Sequence, residues 1–244
     1  MKARTMVFSL AAVVYLLAAC SAWGKVIYVD DDAPTGGDGT SWTTAYRFLQ
    51  DALTNPEASG EAVEVRVAQG TYRPDQGTGV LLGDTKATFR LLSGVTIKGG
   101  YGGLGQPDPN AWDPKLYETI LYGDLQGNDD FQQKTTLYDN SDHVVTSEGV
   151  DETAVMEGFT ITHGAYFGPM VRDGGEDFLF GGGGLYNKSG SPQIRQCVFS
   201  QNYVGLGYGS AVFNYAGGAA RYEECTFEDN YGTAIVNRRS HCTL

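Results

Sequence analysis

Basic side chains are scarce in this sequence. The 244 residues contain 17 Lys and Arg against 29 Asp and Glu, which gives a formal net charge of −12 at pH 7. Nucleic-acid binding depends on basic clusters that neutralise phosphates, so this balance argues against a nucleic-acid partner. An acidic excess favours solubility instead and is compatible with divalent cations.

Cysteine is also rare, and the four cysteines contain no CxxC pair. Zinc sites in small proteins rely on closely spaced pairs of Cys or His, so the spacing predicts no zinc site. Two of the cysteines, Cys197 and Cys225, stand 28 positions apart. That separation turns out to be the period of an internal repeat, which predicts a structural role for both.

Long hydrophobic runs are missing except near the amino end. Lys2 and Arg4 precede an apolar run from Met6 to Ala19, which is shorter than the roughly 20 residues that a membrane-spanning helix needs. A basic start followed by a short apolar run is typical of an export signal, which we assign to residues 1–24. We therefore expect no transmembrane segment in the mature chain and an extracellular or outer-envelope location.

Two cleavage sites are compatible with this export signal. Ala22-Trp23-Gly24 provides small residues at the two positions that an ordinary signal peptidase reads. Leu17-Ala18-Ala19-Cys20 has the pattern of a bacterial lipobox, in which Cys20 would carry a lipid anchor. A strand is predicted from Val26 onward, which leaves little tether after Cys20, so ordinary cleavage is favoured.

What the sequence does have is a repeat. The stretch Gly181–Asn202 is copied imperfectly by Gly209–Asn230, and a third copy starts at Gly232. Each copy holds two short runs of β-branched and aromatic residues separated by Gly, Asn, Ser and Pro, which is the pattern of strands and turns. The runs lie too close together for helical crossovers. The repeat therefore predicts an all-β chain of stacked coils, a parallel β-helix.

Equivalent residues of stacked coils should form ladders about 4.8 Å apart. The cysteine and phenylalanine pairs are expected inside the coils, and the asparagine pairs in turns, where Asn tolerates left-handed backbone. Parallel stacked Cβ vectors suit a disulfide poorly, so buried free thiols are the favoured interpretation. The predicted ladder pairs are Cys197 with Cys225, Phe199 with Phe227, Asn202 with Asn230, and Asn187 with Asn214.

The amino-terminal part has a different pattern. Apolar residues from Trp42 to Leu53 follow the helical 3–4 spacing, and Val63, Val65 and Val67 alternate with charged residues as in a half-buried strand. A stack of coils needs its first edge covered. We therefore interpret 25–75 as an amino-terminal cap with the first coil and 76–244 as the remaining coils. No carboxy-terminal cap is evident, so we expect a longer natural protein.

Two irregular segments, 123–142 and 166–180, interrupt the repeat. The first is rich in oxygen ligands and is a candidate Ca²⁺ site. It lacks the ligand spacing of an EF-hand, so we treat Ca²⁺ as a ligand that can bind there and expect no required cofactor. Aromatic residues in the second are candidates for stacking on a sugar or on a partner surface, or else for packing back on the coils. The candidate Ca²⁺ ligands are Asp124, Asn128, Asp129 and Asp130, and the candidate ligand-binding residues are Tyr166, Phe167, Phe178 and Phe180.

Several motifs carry a family resemblance. The Gly-rich turns Gly182–Leu185 and Gly209–Val212, paired with the FxxN motifs Phe199–Asn202 and Phe227–Asn230, resemble the repeats of polymorphic outer-membrane proteins. The opening IYVDDDAPTGGDGTSWTTAYRFLQDAL resembles that of secreted bacterial β-helix proteins of the pectin-lyase-like superfamily. The resemblance covers residues 25–244. It implies a right-handed, single-stranded parallel β-helix, a place in the cell envelope or outside the cell, and an adhesive or polysaccharide-directed role.

No convergent set of catalytic residues is evident. Asp129-Asp130 and His163 are faintly similar to motifs of polygalacturonase-like hydrolases, but no NxD triplet precedes them. The leading hypothesis is therefore an adhesin-like scaffold that binds carbohydrate or a cell-surface partner without catalysis. The alternative is a polysaccharide lyase or glycoside hydrolase that acts on acidic polysaccharide.

Overall fold

The computed structural model describes residues 24–54, 62–168, 170–173, 176–179, 181–205 and 209–244. For 170–173 and 176–179 it describes the backbone alone. Almost all of the predicted export signal, with Cys20, lies outside the described residues, and so does Phe180. Among the described residues, no helix is long and apolar enough to cross a bilayer.

Strands dominate these ranges. Helical structure is limited to the helix α1, Leu49–Thr54, and to 3₁₀ turns at Trp42–Thr44 and Lys134–Asp139. In chain order the strands are β1 Lys25–Val29, β2 Val63–Ala68, β3 Gly70–Tyr72, β4 Phe89–Arg90, β5 Val95–Tyr101, β6 Thr119–Tyr122, β7 Val145–Glu148, β8 Val155–Glu157, β9 Thr160–Thr162, β10 Ala165–Tyr166, β11 Met170–Asp173, β12 Glu176–Leu179, β13 Leu185–Lys188, β14 Gln193–Arg195, β15 Val198–Ser200, β16 Tyr203–Val204, β17 Val212–Tyr215, β18 Ala219–Glu223, β19 Thr226–Glu228, β20 Ile235–Arg238 and β21 His241–Thr243.

Most strands belong to three parallel sheets. Sheet 1 has the order β1-β2-β5-β8-β14-β18-β21, sheet 2 the order β3-β6-β9-β15-β19, and sheet 3 the order β4-β7-β13-β17-β20. From β2 onward the chain enters sheets 1, 2 and 3 in rotation, and each strand pairs with its counterpart from the previous and the next passage. The predicted all-β, parallel architecture is confirmed at this level.

The repeat period sets the register between passages. Ile194 pairs with Tyr222, and Phe199 pairs with Phe227, each 28 residues away. Alternate residues along the strands face inward, and they join one set of buried side chains that extends from Ile27 to Tyr222. Burial therefore follows from the pairing, because a shift by one residue would turn every apolar side chain outward.

The three cysteines within the described ranges are free thiols. Cys197 is buried, whereas Cys225 and Cys242 are partly buried. Hydrogen bonding links the coils at this place, since the Thr226 N–H donates to the Cys197 carbonyl at 2.9 Å. Burial raises the pKa of the Cys197 thiol and, to a smaller extent, that of Cys225. Because the thiolate is the reactive form, the buried position makes Cys197 a packing residue.

The asparagine pair Asn187 and Asn214 departs from the expectation. Both residues lie within strands β13 and β17 and are fully buried, so their predicted turn position is wrong. The left-handed turn residues are Ser189 and Ala216, two positions later. The amides stay inside because each one bonds to the next coil, with 2.9 Å between Asn187 Nδ2 and Asn214 Oδ1.

The amino-terminal helix is shorter than predicted. The prediction of one helix from Trp42 to Leu53 is wrong, because the backbone of Tyr46 pairs with β1 and does not continue a helix. Tyr46 N donates to the Tyr28 carbonyl at 2.9 Å, and Asp30 N donates to the Tyr46 carbonyl at 2.8 Å. These bonds cover the outer edge of β1, while α1 buries Leu49 and Leu53 in the core beside it.

Candidate functional site

A cleft of about 560 Å³ lies on the outer face of sheet 2. Strand alternation places two rows of side chains here. Thr71, Ile120 and Thr160 form one row, since they are register partners in β3, β6 and β9. Tyr122 and Thr162 begin the second row, which Ser200 continues. Hydroxyl groups and the Ile120 side chain therefore line the floor of what we name the sheet 2 cleft, and the Tyr122 ring rises at its edge as part of the wall.

Three planar groups follow one another along the wall of this cleft. The Arg73 guanidinium carbon lies 5.2 Å from the ring centroid of Tyr122, whose ring lies 4.7 Å from that of His163. Arg73 Nε also donates to the Asp124 carbonyl at 3.0 Å, which fixes its position. His163 occupies a turn with φ of 59°, as Gln201 does with 52° one coil later. His163 and Gln201 therefore occupy equivalent left-handed positions in successive passages.

Two further aromatic rings extend the wall. Phe131, which comes from the 123–142 segment, lies 5.6 Å from His163 and stacks on Tyr231 at 4.5 Å. Sequence reasoning missed Tyr122, Phe131 and Tyr231 as site residues. The repeat contained a signal for Tyr231, because Tyr203 stands 28 positions before it and the two form a bridge. Phe131 has no repeat partner, so no periodic signal identifies it.

An acidic cluster lies behind the wall. One carboxylate oxygen from each of Asp124, Asp129 and Asp139 lies within 4.8 Å of the others. Asp124 is buried and accepts hydrogen bonds from the backbone N–H groups of Gly127, at 2.6 Å, and of Asp129, at 3.0 Å. Burial, opposed by the hydrogen bond from Asn140 and reinforced by the two neighbouring carboxylates, raises the pKa of Asp129 to about 7. Desolvation disfavours the charged form of this carboxyl and is the main cause, and the neighbouring like charges add to it.

The structure changes the membership of the candidate Ca²⁺ set. Asp124 and Asp129 lie together, but the Asp130 carboxylate accepts hydrogen bonds from the residues just after it, Gln132 N and Gln133 Nε2. Asn128 directs its Nδ2 toward Asp139, with 3.0 Å to Oδ2, and so offers a donor rather than a ligand oxygen there.

Asp139 and Asn140 also belong to the cluster, although no motif in the sequence identifies them as site residues. The 3₁₀ turn Lys134–Asp139 folds the segment back on itself. As a result Asn140 Nδ2 lies 2.8 Å from Asp129 Oδ2, across 11 residues. A loop of this kind has no periodic pattern, so spacing alone does not predict which of its oxygens meet.

Tyr166 and Phe167, from the second segment, make ring contacts within the chain. Tyr166 stacks on His143 with 4.9 Å between ring centroids, and Phe167 lies 4.3 Å from Tyr138 and 5.4 Å from Tyr203. Phe178 lies in β12, which forms an antiparallel hairpin with β11. Tyr166 and Phe167 remain partly exposed, and neither of them lines the sheet 2 cleft.

His143 gives this region a predictable response to pH. Its imidazole lies between the rings of Tyr166 and Tyr186, each at 4.9 Å, and its Nδ1 lies 2.9 Å from the Gly182 carbonyl. Desolvation lowers its pKa, while Asp142 and Lys86 act in opposite directions. The unfolded chain therefore takes up the proton first, so the free energy of unfolding falls as the pH drops below about 6.5.

A His143→Phe variant keeps the ring stack but has no proton to bind. We expect the stability difference between the wild type and this variant to change with pH below about 6.5, with a slope of at most about 1.4 kcal/mol per pH unit. Urea denaturation at evenly spaced pH values from about 5 to about 8 measures this difference in the free energy of unfolding. A pH-independent difference would contradict the assignment.

A comparison of the chain with protein-family models, with curated proteins and with solved structures finds no match.

Proposed function

We propose that the protein is an exported, right-handed parallel β-helix that binds polysaccharide in the sheet 2 cleft. Rotation of the chain through three parallel sheets supports the β-helix, since each passage adds one strand to each sheet. Export is supported by the basic and apolar residues at the amino end. The resemblance to pectin-lyase-like and polymorphic outer-membrane proteins supports a surface role for the chain.

The row of rings beside the hydroxyl floor is the observation that carries the binding proposal. Aromatic faces stack on the apolar faces of sugars, while hydroxyl and guanidinium groups bond to sugar hydroxyls. The cleft combines both, with Tyr122 and His163 in its wall and Thr162 and Ser200 in its floor. It runs across strands of successive passages, which suits an extended chain better than a single small molecule.

Arg73 indicates which polysaccharides to test first. Its guanidinium faces Tyr122 and lines the cleft, and a guanidinium can pair with a carboxylate through two hydrogen bonds. A uronate unit would find this pairing, and Glu118 on the same floor would disfavour a uronate at the opposite end. We therefore expect glycans with isolated uronates to bind more tightly than uniformly charged polyuronates.

A Tyr122→Ala variant tests the cleft. Losing the central ring is expected to weaken glycan binding about tenfold, which corresponds to about 1.4 kcal/mol. Wild type and variant are first compared on a glycan array, and the best ligand is then titrated by calorimetry. Tyr122 faces outward, so circular dichroism should show an unchanged fold.

Tyr138→Ala is the matched control, because this exposed ring contacts Phe167 and lies outside the cleft. Its affinity should equal that of the wild type. Loss of binding in Tyr138→Ala with retention in Tyr122→Ala would move the site to the second segment. Absence of any glycan binding by the wild type would contradict the proposal and favour a cell-surface protein partner or a structural spacer.

A polysaccharide lyase or hydrolase is the second candidate. It is favoured by one observation, the position of carboxylates directly behind the cleft wall, where the Tyr122 hydroxyl lies 3.5 Å from Asp124 Oδ2. Against it, both oxygens of Asp124 already accept hydrogen bonds and Asp129 Oδ1 is buried. Incubation with uronate polysaccharides, followed by detection of unsaturated or reducing ends, tests it. Turnover that disappears in Asp129→Asn would replace the binding-only proposal.

A further inference from the structure

We infer that Asp129, Asp139 and Asn140 form a Ca²⁺ site, with the carboxylate of Asp124 as an additional charge beside the ion. We name these four residues the cation cluster. The inference does not depend on the proposed glycan binding, because it rests on the atoms of the cluster and not on those of the cleft.

Distances within the cluster suit one shared ion. Ca²⁺ binds oxygen ligands at about 2.3–2.6 Å, so two of its ligands lie no more than about 5 Å apart. The carboxylate oxygens of Asp124, Asp129 and Asp139 lie within 4.8 Å of one another. None of the ion pairs among the described residues involves these three carboxylates. A divalent cation would balance a charge that no basic side chain balances.

Unpartnered oxygens supply the independent observation. Asp129 Oδ1, Asp139 Oδ1 and Asn140 Oδ1 are all buried and accept no hydrogen bond. Native proteins rarely leave one such atom unsatisfied, and each one needs a physical explanation. Three of them on side chains that meet at one place are explained together by an ion, since all three are oxygen ligands of the kind that Ca²⁺ takes.

Asn140 is the most informative of these residues because it carries no charge. Its side chain is only 1% exposed. Its Nδ2 donates to Asp129 Oδ2 at 2.8 Å and to the His163 carbonyl at 2.9 Å. Both partners are acceptors, so the amide orientation is fixed and Oδ1 is the atom left without a partner. An amide held against a carboxylate with its oxygen free is well placed to complete a cation site.

Asp124 contributes charge rather than a free ligand atom. One of its oxygens accepts the N–H groups of Gln126 and Gly127, and the other accepts that of Asp129. These bonds hold the carboxylate rigidly at the end of β6. An ion bound by the cluster would thus connect β6 to both ends of the segment that carries Phe131, and would fix the aromatic wall of the cleft.

Titration with CaCl₂ tests the inference on the purified chain. Wild type is expected to bind one Ca²⁺ per chain in calorimetry and to gain in thermal midpoint when Ca²⁺ is added. Asp139→Asn keeps the shape of the side chain but removes a charge. We expect it to bind at least tenfold more weakly and to lose most of the thermal shift.

Two matched variants locate the ion. Asp32→Asn makes the same change in the other group of neighbouring carboxylates, Asp30 to Asp32, and should bind Ca²⁺ like the wild type. Asp130→Asn changes a carboxylate in the same segment that bonds only to its own turn, and should also bind like the wild type. Loss in either variant with retention in Asp139→Asn would overturn the assignment.

Terbium gives a second readout that does not depend on stability. Tb³⁺ replaces Ca²⁺ in oxygen sites and emits when a nearby tyrosine is excited, and Tyr122 lies against Asp124. A Tyr122→Phe variant should reduce this emission while its Ca²⁺ affinity stays unchanged. If wild type binds no Ca²⁺ at millimolar concentration, the cluster holds a proton instead and the inference is wrong.

Discussion

Replacing Asn202 by alanine is expected to lower the free energy of unfolding by about 3 kcal/mol. The side chain is fully buried. Its Oδ1 accepts the Gly164 N–H at 3.0 Å, and its Nδ2 donates to the Ile161 carbonyl at 3.0 Å. Alanine removes both hydrogen bonds and leaves the buried Gly164 N–H without its side-chain acceptor, and an unsatisfied buried group of this kind costs roughly 1–3 kcal/mol.

The same asparagine also joins two coils. Nδ2 lies 3.0 Å from Asn230 Oδ1, so Asn202 bonds backward to one passage and forward to the next. Loss of the side chain therefore weakens the stack at this corner on both sides. We expect the effect as a shift of the urea denaturation midpoint with little change in slope, since the surface exposed on unfolding stays nearly constant.

Asn237→Ala is the control for this prediction. Asn237 accepts a ladder bond from Asn214 at 2.8 Å, but its own side chain is exposed to water. Water replaces the lost partner there, so we expect a cost below about 1 kcal/mol. Equal losses in Asn202→Ala and Asn237→Ala would show that ladder bonding, rather than burial of unsatisfied groups, determines the energy.

Phe199→Ala is expected to cost about 3–5 kcal/mol, the range for removal of a fully buried aromatic side chain. Phe199 lies in β15 between Ile161 of β9 and Phe227 of β19, and it is fully buried. The rings of Phe199 and Phe227 stack at 5.1 Å and nearly parallel. Alanine would leave a cavity that the flanking coils cannot close, because their strands are hydrogen-bonded to one another.

Phe227→Ala provides the matched comparison. It removes the same ring from the same ladder one coil later, but Phe227 is only partly buried. A smaller apolar area is returned to water, so the loss should be about half as large or less. Thermal or urea denaturation of both variants measures the ratio. A loss in Phe227→Ala that equals the loss in Phe199→Ala would contradict the packing argument.

The sequence predicted the architecture because the repeat is periodic. An offset of 28 residues places Phe199 on Phe227 and Ile194 on Tyr222, and strand pairing in the structure has these registers. The positions of the asparagines were harder to predict, because Asn is favoured both in turns and in buried amide ladders. The choice between a turn and a buried ladder depends on where the amide finds its hydrogen-bond partner, and a sequence pattern does not contain that information.

The candidate site was partly predictable for the same reason. Asp124 and Asp129 stand close together in the sequence, so their proximity was expected, whereas Asp139 and Asn140 arrive through the 3₁₀ turn. Tyr122 ends β6, and its outward direction depends on the register of β6 with β9. Non-periodic loops and their contacts are decided by packing against a surface that must already be folded.

The rotation of the chain through the three sheets makes the molecule nearly one-dimensional in its energetics. Each passage is stabilised by its own residues and by its two neighbours, so cooperativity extends along the stack only from one interface to the next. With such short-range coupling, the stacked sheets can open at one interface between passages while the others stay closed. A polysaccharide that lies across β3, β6, β9 and β15 would couple passages that are not neighbours. An ion in the cation cluster would act within one passage, because all of its ligands lie in the 123–142 segment. A ligand that spans several passages would then stabilise the protein along the direction of stacking, and this stabilisation should grow with the number of passages that the ligand crosses.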